Sequence, residues 1–444
     1  MELPQNIAFV LERLEEKGFE AYVVGGCVRN YLLGLPGKDF DVTTSASPEE
    51  IKSAFSDLKT IDTGIKYGTV TVISDGEPVE ITTYRIDGEY ADGRRPDNVS
   101  FSASLEEDLK RRDFTVNAIA YNPKTGIIDL FGGIDDLKNK VIRAIGNPDR
   151  RFNEDGLRIL RALRFASFCG LEIERETAES IHRNRRLLEK IAPERISSEL
   201  NKLLCGDCGL VLREFHDVFG VFLPEIEKCV GFEQHTRYHN RDVFEHTVAA
   251  VEAVEPVKRL RLAMLLHDIG KPDYFTLAHD GTGHFKGHAK GSTEIAESFL
   301  KRMKYDNETT ERVTGLVKYH DMVIENDERL IKRYLNRFGE EMFFDIIKVH
   351  IADDSAKAPQ FMSRISKYHA AEETAKEIIR KKECFSLKNL AVNGNDIKEM
   401  GYKGAEIGEA LRFLLTLVIE NKCENKKDEL LSRLKKGDEP VEFN

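Results

Sequence analysis

Asp39 and Asp41 flank Phe40 at the entry to a strand-like run. Residues two apart on a strand share a face. Both carboxylates can then ligate Mg2+, which prefers hard oxygen ligands, and two such ions can clamp the attacking and leaving oxygens of a phosphoryl transfer. Taken alone, an Asp-x-Asp is equally a pair of solvated acids. Upstream, Gly25-Gly26-Cys27-Val28-Arg29-Asn30 follows a β-rich run and opens a helix. A glycine turn at a helix start, with Gly26 at its centre, offers backbone N–H groups to phosphate oxygens, and Arg29 adds a guanidinium for the same charge. A third constellation lies further on: His246, His267-Asp268, His284, His288, His320 and Asp353. Spaced histidines and aspartates of this kind suit a divalent transition metal.

These residues need elements to hold them. Phe19 to Val24, Phe40 to Thr44, Thr69 to Ile73 and Val79 to Tyr84 read as strands. Val116 to Tyr121 and Ile127 to Leu130 bracket a turn at Asn122-Pro123-Lys124-Thr125-Gly126. Tyr84 to Phe101 is polar, carries Gly88, Gly93 and Pro96, and reads as a long mobile loop of the functional kind. From Asp149 the strand signals fade. Leu157, Ile159, Leu160, Leu163 and Phe165 give residues 154–170 a helical period, and helices continue to the end, with Leu277 to Ser292 as a Gly- and His-rich loop.

The 444 residues allow two to four domains. With 41 % hydrophobic and 32 % charged residues, and no apolar run of membrane-spanning length, the chain reads as soluble, without a membrane. The start, Met1 to Leu14, lacks the basic and apolar pattern of a signal peptide, so a cytoplasmic location is expected. Seven scattered cysteines argue against a disulfide framework, and the lone Cys205/Cys208 pair reads as two half-buried thiols rather than zinc ligands. The net charge of −11 argues against a nucleic-acid partner only as a sum, because binding depends on local patches.

The stretch Gly25 to Gly34 followed by Asp39-Phe40-Asp41 resembles the head of class II tRNA nucleotidyltransferases, the CCA-adding enzymes, which group with bacterial poly(A) polymerases. The family usually has Asp where Asn30 stands. The resemblance implies a polymerase-β-like α/β nucleotidyltransferase head followed by an all-α neck, body and tail. It implies that Asp39 and Asp41 hold two Mg2+ ions, with Glu80 as a third acid, and that tRNA, CTP and ATP are the partners. Arg111-Arg112-Asp113-Phe114-Thr115-Val116-Asn117-Ala118 resembles a family motif whose second arginine contacts the nucleotide, which implies that Arg112 meets the triphosphate.

Glu154 to Arg164 resembles the family's EDxxRxxR motif. Its chemistry can be argued separately. Asp155 and Arg158, three apart on a helix, are neighbours. A carboxylate accepts and a guanidinium donates. Cytosine and adenine both present an amine donor beside a ring-nitrogen acceptor and fit this pair, whereas uracil and guanine present the reverse order. Arg161 is assigned to the phosphates or sugar of the nucleotide. Arg164 either joins it or pairs with a carboxylate in the neck, and Pro193 to Leu200 is expected to brace this helix.

Thr63 to Val72 lacks the basic run of the poly(A) polymerases, and the loop Tyr84 to Pro96 is full length, unlike that of CC-adding members. Complete CCA addition is therefore favoured, with an A-adding specialist as the alternative. The later constellation resembles the HD phosphohydrolase superfamily, with His246, His267, Asp268 and Asp353 (or its neighbour Asp354) in the metal positions. That implies a second divalent transition metal, with either hydrolase activity or a degenerate domain that shapes the body. A pure HD hydrolase with a relict head is the other reading. The expected domains are a head at 1–145, a neck at 146–225, an HD body at 226–358 and a helical tail at 359–444.

Overall fold

A computed structural model of the chain describes all residues except Lys38, 88–98, Ala103 and 436–444. They divide into two compact units, Met1–Glu227 with Arg302–Lys304, and Lys228–Lys301 with Tyr305–Asn444.

The first unit opens with a seven-stranded mixed sheet. Its order is Thr60–Ile61, Thr69–Ser74, Glu77–Thr83, Asp41–Thr44, Ala21–Val24, Ile119–Asn122 and Gly126–Asp129. Thr69–Ser74 shows why these segments are strands: Val70, Val72 and Ser74 are buried while the residues between are half-exposed, the two-residue period of a sheet with one covered face. Ala21–Val24 runs antiparallel to both of its neighbours, whereas Asp41–Thr44 runs parallel to Glu77–Thr83. Helix Gln5–Glu16 buries Ile7, Val10, Leu11 and Leu14, an i, i+3, i+4, i+7 stripe. Ser47 and Glu50 form a capping box that starts the helix Pro48–Ala54.

Three expectations need correction here. Phe40 and Asp39 lie outside the strand, which begins at Asp41. Val116 belongs to a 3-10 turn, Thr115–Asn117, because Thr115 is tied to the Arg143 carbonyl and backs onto Gly133, where any Cβ would come within 2.3 Å of the Thr115 oxygen. The ends of the expected loop are an antiparallel ribbon, Arg85–Asp87 with Val99–Phe101; Gly88, Gly93 and Pro96 lie outside the described residues.

The helices Pro148–Glu154, Leu157–Cys169, Arg175–Asn184 and Pro193–Leu204 follow. The expected continuous helix over 154–170 is in fact two. Asp155 is extended at φ −148°, and the second helix starts after Gly156. A Cβ on Gly156 would lie 2.9 Å from Leu187 Cβ and 3.1 Å from its carbonyl oxygen, so the close approach of the 185–190 turn requires glycine.

The second unit is helical. Helices Val243–Ala253, Lys258–Leu266, Asn307–Tyr319 and Glu340–Ala356 pack on one another. Leu277 to Ser292 is not wholly loop. Thr276–Leu277 pairs with Gly283–His284, and a helix starts at His288. The C-terminal helices Gly394–Glu399, Ala405–Ile419 and Lys427–Lys435 enclose their own core around Val392, Ile397, Leu414 and Leu430. All seven cysteines are free. No helix among the described residues is long and apolar enough to cross a membrane.

Candidate functional site

In the first unit a cavity of about 820 Å³ gathers nearly every residue singled out for the head and neck: Gly26, Arg29, Asp39, Asp41, Arg112, Asp155, Arg158, Arg161 and Arg164. Seven arginines and four aspartates line it, so it is locally cationic within an acidic chain. Glu80 does not line it, but stands on the strand beside Asp41 in the parallel register.

Asp41 is accessible from the cavity, yet protein crowds around it. That crowding raises its pKa above the ordinary carboxylate value; Arg112 opposes the rise, and Glu80 and Asp39 add to it. A cluster of acids that disfavour one another's charge is relieved by a cation. Among the described residues no third acid draws close to Asp39 and Asp41 to complete a protein cage. An open pair of carboxylates fits Mg2+, which completes its shell with water and substrate phosphate.

The turn before them is built for close approach. Gly25 has φ +79° and precedes the helix Gly26–Leu32. A Cβ there would also meet Arg112 Nη1 at 3.1 Å. Arg112 Nη2 lies 3.4 Å from the buried Asp108, while its Nε is buried with no hydrogen-bond partner among the described residues. Arg29 is anchored at the cavity wall by its neighbours. It is buried, with Nη1 donating to Asn117 Oδ1 at 2.5 Å and Nε and Nη2 donating to Asn30 Oδ1. These bonds brace the turn while Arg29 remains part of the cavity wall. Asn30 serves it as a neutral acceptor.

The pair Asp155 and Arg158 does not share a helix. Asp155 accepts from Arg195 Nη2 at 2.7 Å and from the Leu157 backbone N–H. Arg158 donates to Glu154 at 2.5 Å and to the carbonyls of Arg151 and Arg111. The two side chains are thus held by different partners, and both face the cavity. Arg161 lies 2.6 Å from Asp113, and Arg164 lies 2.9 Å from Glu199, a neck carboxylate, while both arginines also line the cavity. Burial pushes Asp113 up, but Arg161, Asn117 and Arg158 outweigh it and hold the carboxyl well below the usual range. Arg29, Arg161 and Arg164 all lie over the Phe165 ring, at 4.5, 5.5 and 4.2 Å.

Asp113, Asn117, Phe165 and Arg195 were not singled out from the sequence. Each sits inside a quoted motif or one residue past it, so position was legible but role was not. Arg195 belongs to the segment expected to brace the second helix, and does so through Asp155.

In the second unit His246, His267, Asp268 and Asp353 are all buried and bring one donor atom each within 4.8 Å of the others. His246 Nε2 lies 3.0 Å from Asp353 Oδ1 and 3.3 Å from both His267 Nε2 and Asp268 Oδ2. Lys357 donates to both Asp353 and Asp354, but Asp353 turns its other oxygen to His246 whereas Asp354 accepts from Tyr368. His288 and His320 join Asp268 in a second group, and His284 is exposed nearby on a cavity of about 1120 Å³.

Three families match parts of the chain: "Poly A polymerase head domain" over residues 21–143, "Probable RNA and SrmB- binding site of polymerase A" over 170–229, and "tRNA nucleotidyltransferase domain 2 putative" over 285–434. A CCA-adding enzyme of Ligilactobacillus salivarius is 57 % identical over 197 residues, 44 % of this chain and 48 % of that one, so that match spans about half of each. Over nearly full length, CCA-adding enzymes of Lactobacillus helveticus and Enterococcus faecalis are 35 % and 36 % identical, covering 94 % and 97 % of this chain and 94 % and 96 % of theirs. The crystal structure of the Bacillus stearothermophilus CCA-adding enzyme in complex with CTP superposes with a TM-score of 0.72 at 28 % identity, covering 98 % of this chain and 99 % of the other. The similarity runs through head, neck and helical body alike, and the chain belongs to the CCA-adding enzymes.

Proposed function

We propose that the protein adds C, C and A to the 3′ end of tRNA from CTP and ATP, releasing diphosphate. The observation that carries this reading is the single cavity in which the carboxylate pair, the glycine turn and the arginine-rich neck residues converge. In each addition the terminal hydroxyl oxygen bonds to the α-phosphorus, the bond to diphosphate breaks and the hydroxyl proton is lost. Asp39 and Asp41 would hold Mg2+, which supplies activation of the hydroxyl and stabilisation of the departing charge. Arg112, on the cavity wall beside the glycine turn, meets the triphosphate. Asp155 accepts from the amine of cytosine or adenine while Arg158 donates to the adjacent ring nitrogen; Arg195 and Glu154 hold the two in place. Arg161 and Arg164 set the positive field behind the nucleotide from their pairs with Asp113 and Glu199.

Full-length similarity to CCA-adding enzymes supports complete addition over the A-adding alternative, and an intact acid pair speaks against a relict head. Incubation with labelled CTP, ATP and a tRNA lacking its 3′ end tests this: both nucleotides are incorporated in the order C, C, A. Incorporation of A alone, and only onto a tRNA already ending in CC, would establish the specialist. We further assign the domains as head 1–145, neck 146–225, body 226–358 and tail 359–444. In the body, His246, His267, Asp268 and Asp353 would hold a divalent transition metal, supported by their converging buried donors.

A further inference from the structure

We propose that Phe168 is a positioning residue for the RNA strand: the terminal base of the tRNA stacks on its ring while the terminal hydroxyl is extended. The inference rests on the reading of the first unit's cavity as the site of nucleotide addition, and gives the tRNA end a place in it. Helix Leu157–Cys169 turns one face to that cavity along its whole length. Leu157, Arg158, Arg161, Arg164, Phe165 and Phe168 line it, the spacing of a single helical face. Phe165 is 5 % exposed and lies under three guanidinium groups. Phe168, in the last turn before Gly170 ends the helix, is 59 % exposed, more than any other phenylalanine or tyrosine among the described residues. A single exposed apolar side chain is ordinary on a protein surface. This one stands in a cavity lined by seven arginines and four aspartates.

Two lengths say which base it meets. Arg158 and Phe168 are separated by roughly 15 Å along the helix, at about 1.5 Å per residue, so a base held by Asp155 and Arg158 does not reach the ring. The other apolar groups on the wall, Leu35 and Pro36, belong to the loop that carries Asp39. From Pro36 to Asp39 the chain spans at most about 11 Å, so they stand near the acid where the attacking hydroxyl must lie. Asn30 fixes this loop. Its carbonyl accepts from the Leu35 N–H at 2.8 Å, and its side-chain amide donates to the Pro36 carbonyl at 3.4 Å, which an aspartate could not do. The reaction itself asks for an aromatic face. The terminal base changes with each addition, from the tRNA's own last nucleotide to C and then to C again. A hydrogen-bonding reader would suit one of these and reject another, whereas a ring without polar groups stacks on any base. The phosphates of the same strand meet the arginines.

The test uses the full-length chain and two tRNAs lacking the 3′ CCA, one intact and one whose terminal nucleotide has no base. On intact tRNA, Phe168→Ala should raise the KM for tRNA on the order of 10-fold, as loss of one base–aromatic stack does, with the KM for CTP unchanged. Phe168→Tyr keeps the ring and should behave as wild type. Phe168→Leu keeps apolar volume without the flat face and should behave as the alanine variant. Removing the terminal base should cost the wild type more than it costs Phe168→Ala, because the two changes delete partners of one contact. Circular dichroism and thermal unfolding check each variant, and Phe168→Leu repeats the comparison should the alanine variant unfold. An unchanged KM for tRNA, a change in the KM for CTP alone, or equal losses on the abasic tRNA in wild type and variant would overturn the stacking role while leaving nucleotide addition standing. A wild type that extends neither tRNA would overturn the reading of the cavity and this inference with it.

Discussion

At the residue scale the head turns on a conflict among acids. Asp41 has its pKa raised by burial, against Arg112 and with help from Glu80 and Asp39. A carboxyl whose pKa is higher folded than unfolded is most favourable to folding when protonated, so its ionised form opposes folding at neutral pH. In chelator at pH 7, Asp41→Asn should hold or raise the melting temperature, and this gain should vanish once the pH falls below the ordinary carboxylate value. With Mg2+ present the wild type should gain stability and the variant little. Nucleotide addition by the variant should drop by on the order of 10²–10³-fold or more, as for loss of a principal electrostatic stabiliser. Near-normal turnover would remove Asp41 from the metal site. Asp155 makes a separate claim. Asp155→Ala should shrink the preference for CTP over UTP by roughly 10- to 100-fold, since a hydrogen bond to a charged group contributes about 1.5–3 kcal/mol. Affinity for the triphosphate should change far less. Incorporation of all four nucleotides measures it, and an unchanged CTP/UTP ratio would reduce Asp155 to a partner of Arg195.

At the scale of elements, the break at Asp155-Gly156 is the hinge of the site's construction. It turns Asp155 out of the helical path, where Arg195 captures it, and lets Arg158 begin a new helix held by Glu154. Gly156 has helical φ and ψ, so alanine costs it no backbone strain; the obstacle is the Leu187 backbone at 3.1 Å. Gly156→Ala should therefore destabilise by about 1–3 kcal/mol, as overpacking does. It should also impair CTP and ATP use together by displacing both readers. Denaturant unfolding and steady-state kinetics would show this; full stability with full activity would mean the 185–190 turn yields freely.

At the scale of the whole molecule, a net charge of −11 coexists with a cavity lined by seven arginines and four aspartates. Arg183 pairs with Asp149, Lys332 with Glu328 and Glu383, Arg333 with Glu420, and Arg380 with Glu377. Ion pairs of the same kind hold Arg158, Arg161, Arg164 and Arg195 at the cavity. The two units also carry different candidate donor sets, open carboxylates in one and buried histidines in the other. His267→Ala combined with Asp268→Ala should strip transition metal from the body and leave CCA addition in place. Metal analysis beside the tRNA assay checks this, and loss of addition in a folded variant would tie the body's residues to polymerisation.

Much of this was determined by the sequence alone. The order of strands and helices, the glycine turn, the acid pair and the ordered histidines are local features, set by periodicity, backbone freedom and side-chain chemistry over a few residues. Three-dimensional packing decided the rest. Whether residues 154–170 form one helix or two depended on Leu187, some thirty residues away. Where the Arg29 guanidinium is anchored depended on Asn117, and whether Asp353 or Asp354 faces the histidines depended on the phase of a helix against three others. Asp268 shows the division most clearly. Its type and its neighbour His267 marked it as a ligand, but that its two oxygens face two different histidine pairs required four helices to converge, because no spacing along one chain records which side of a carboxylate a distant ring will meet.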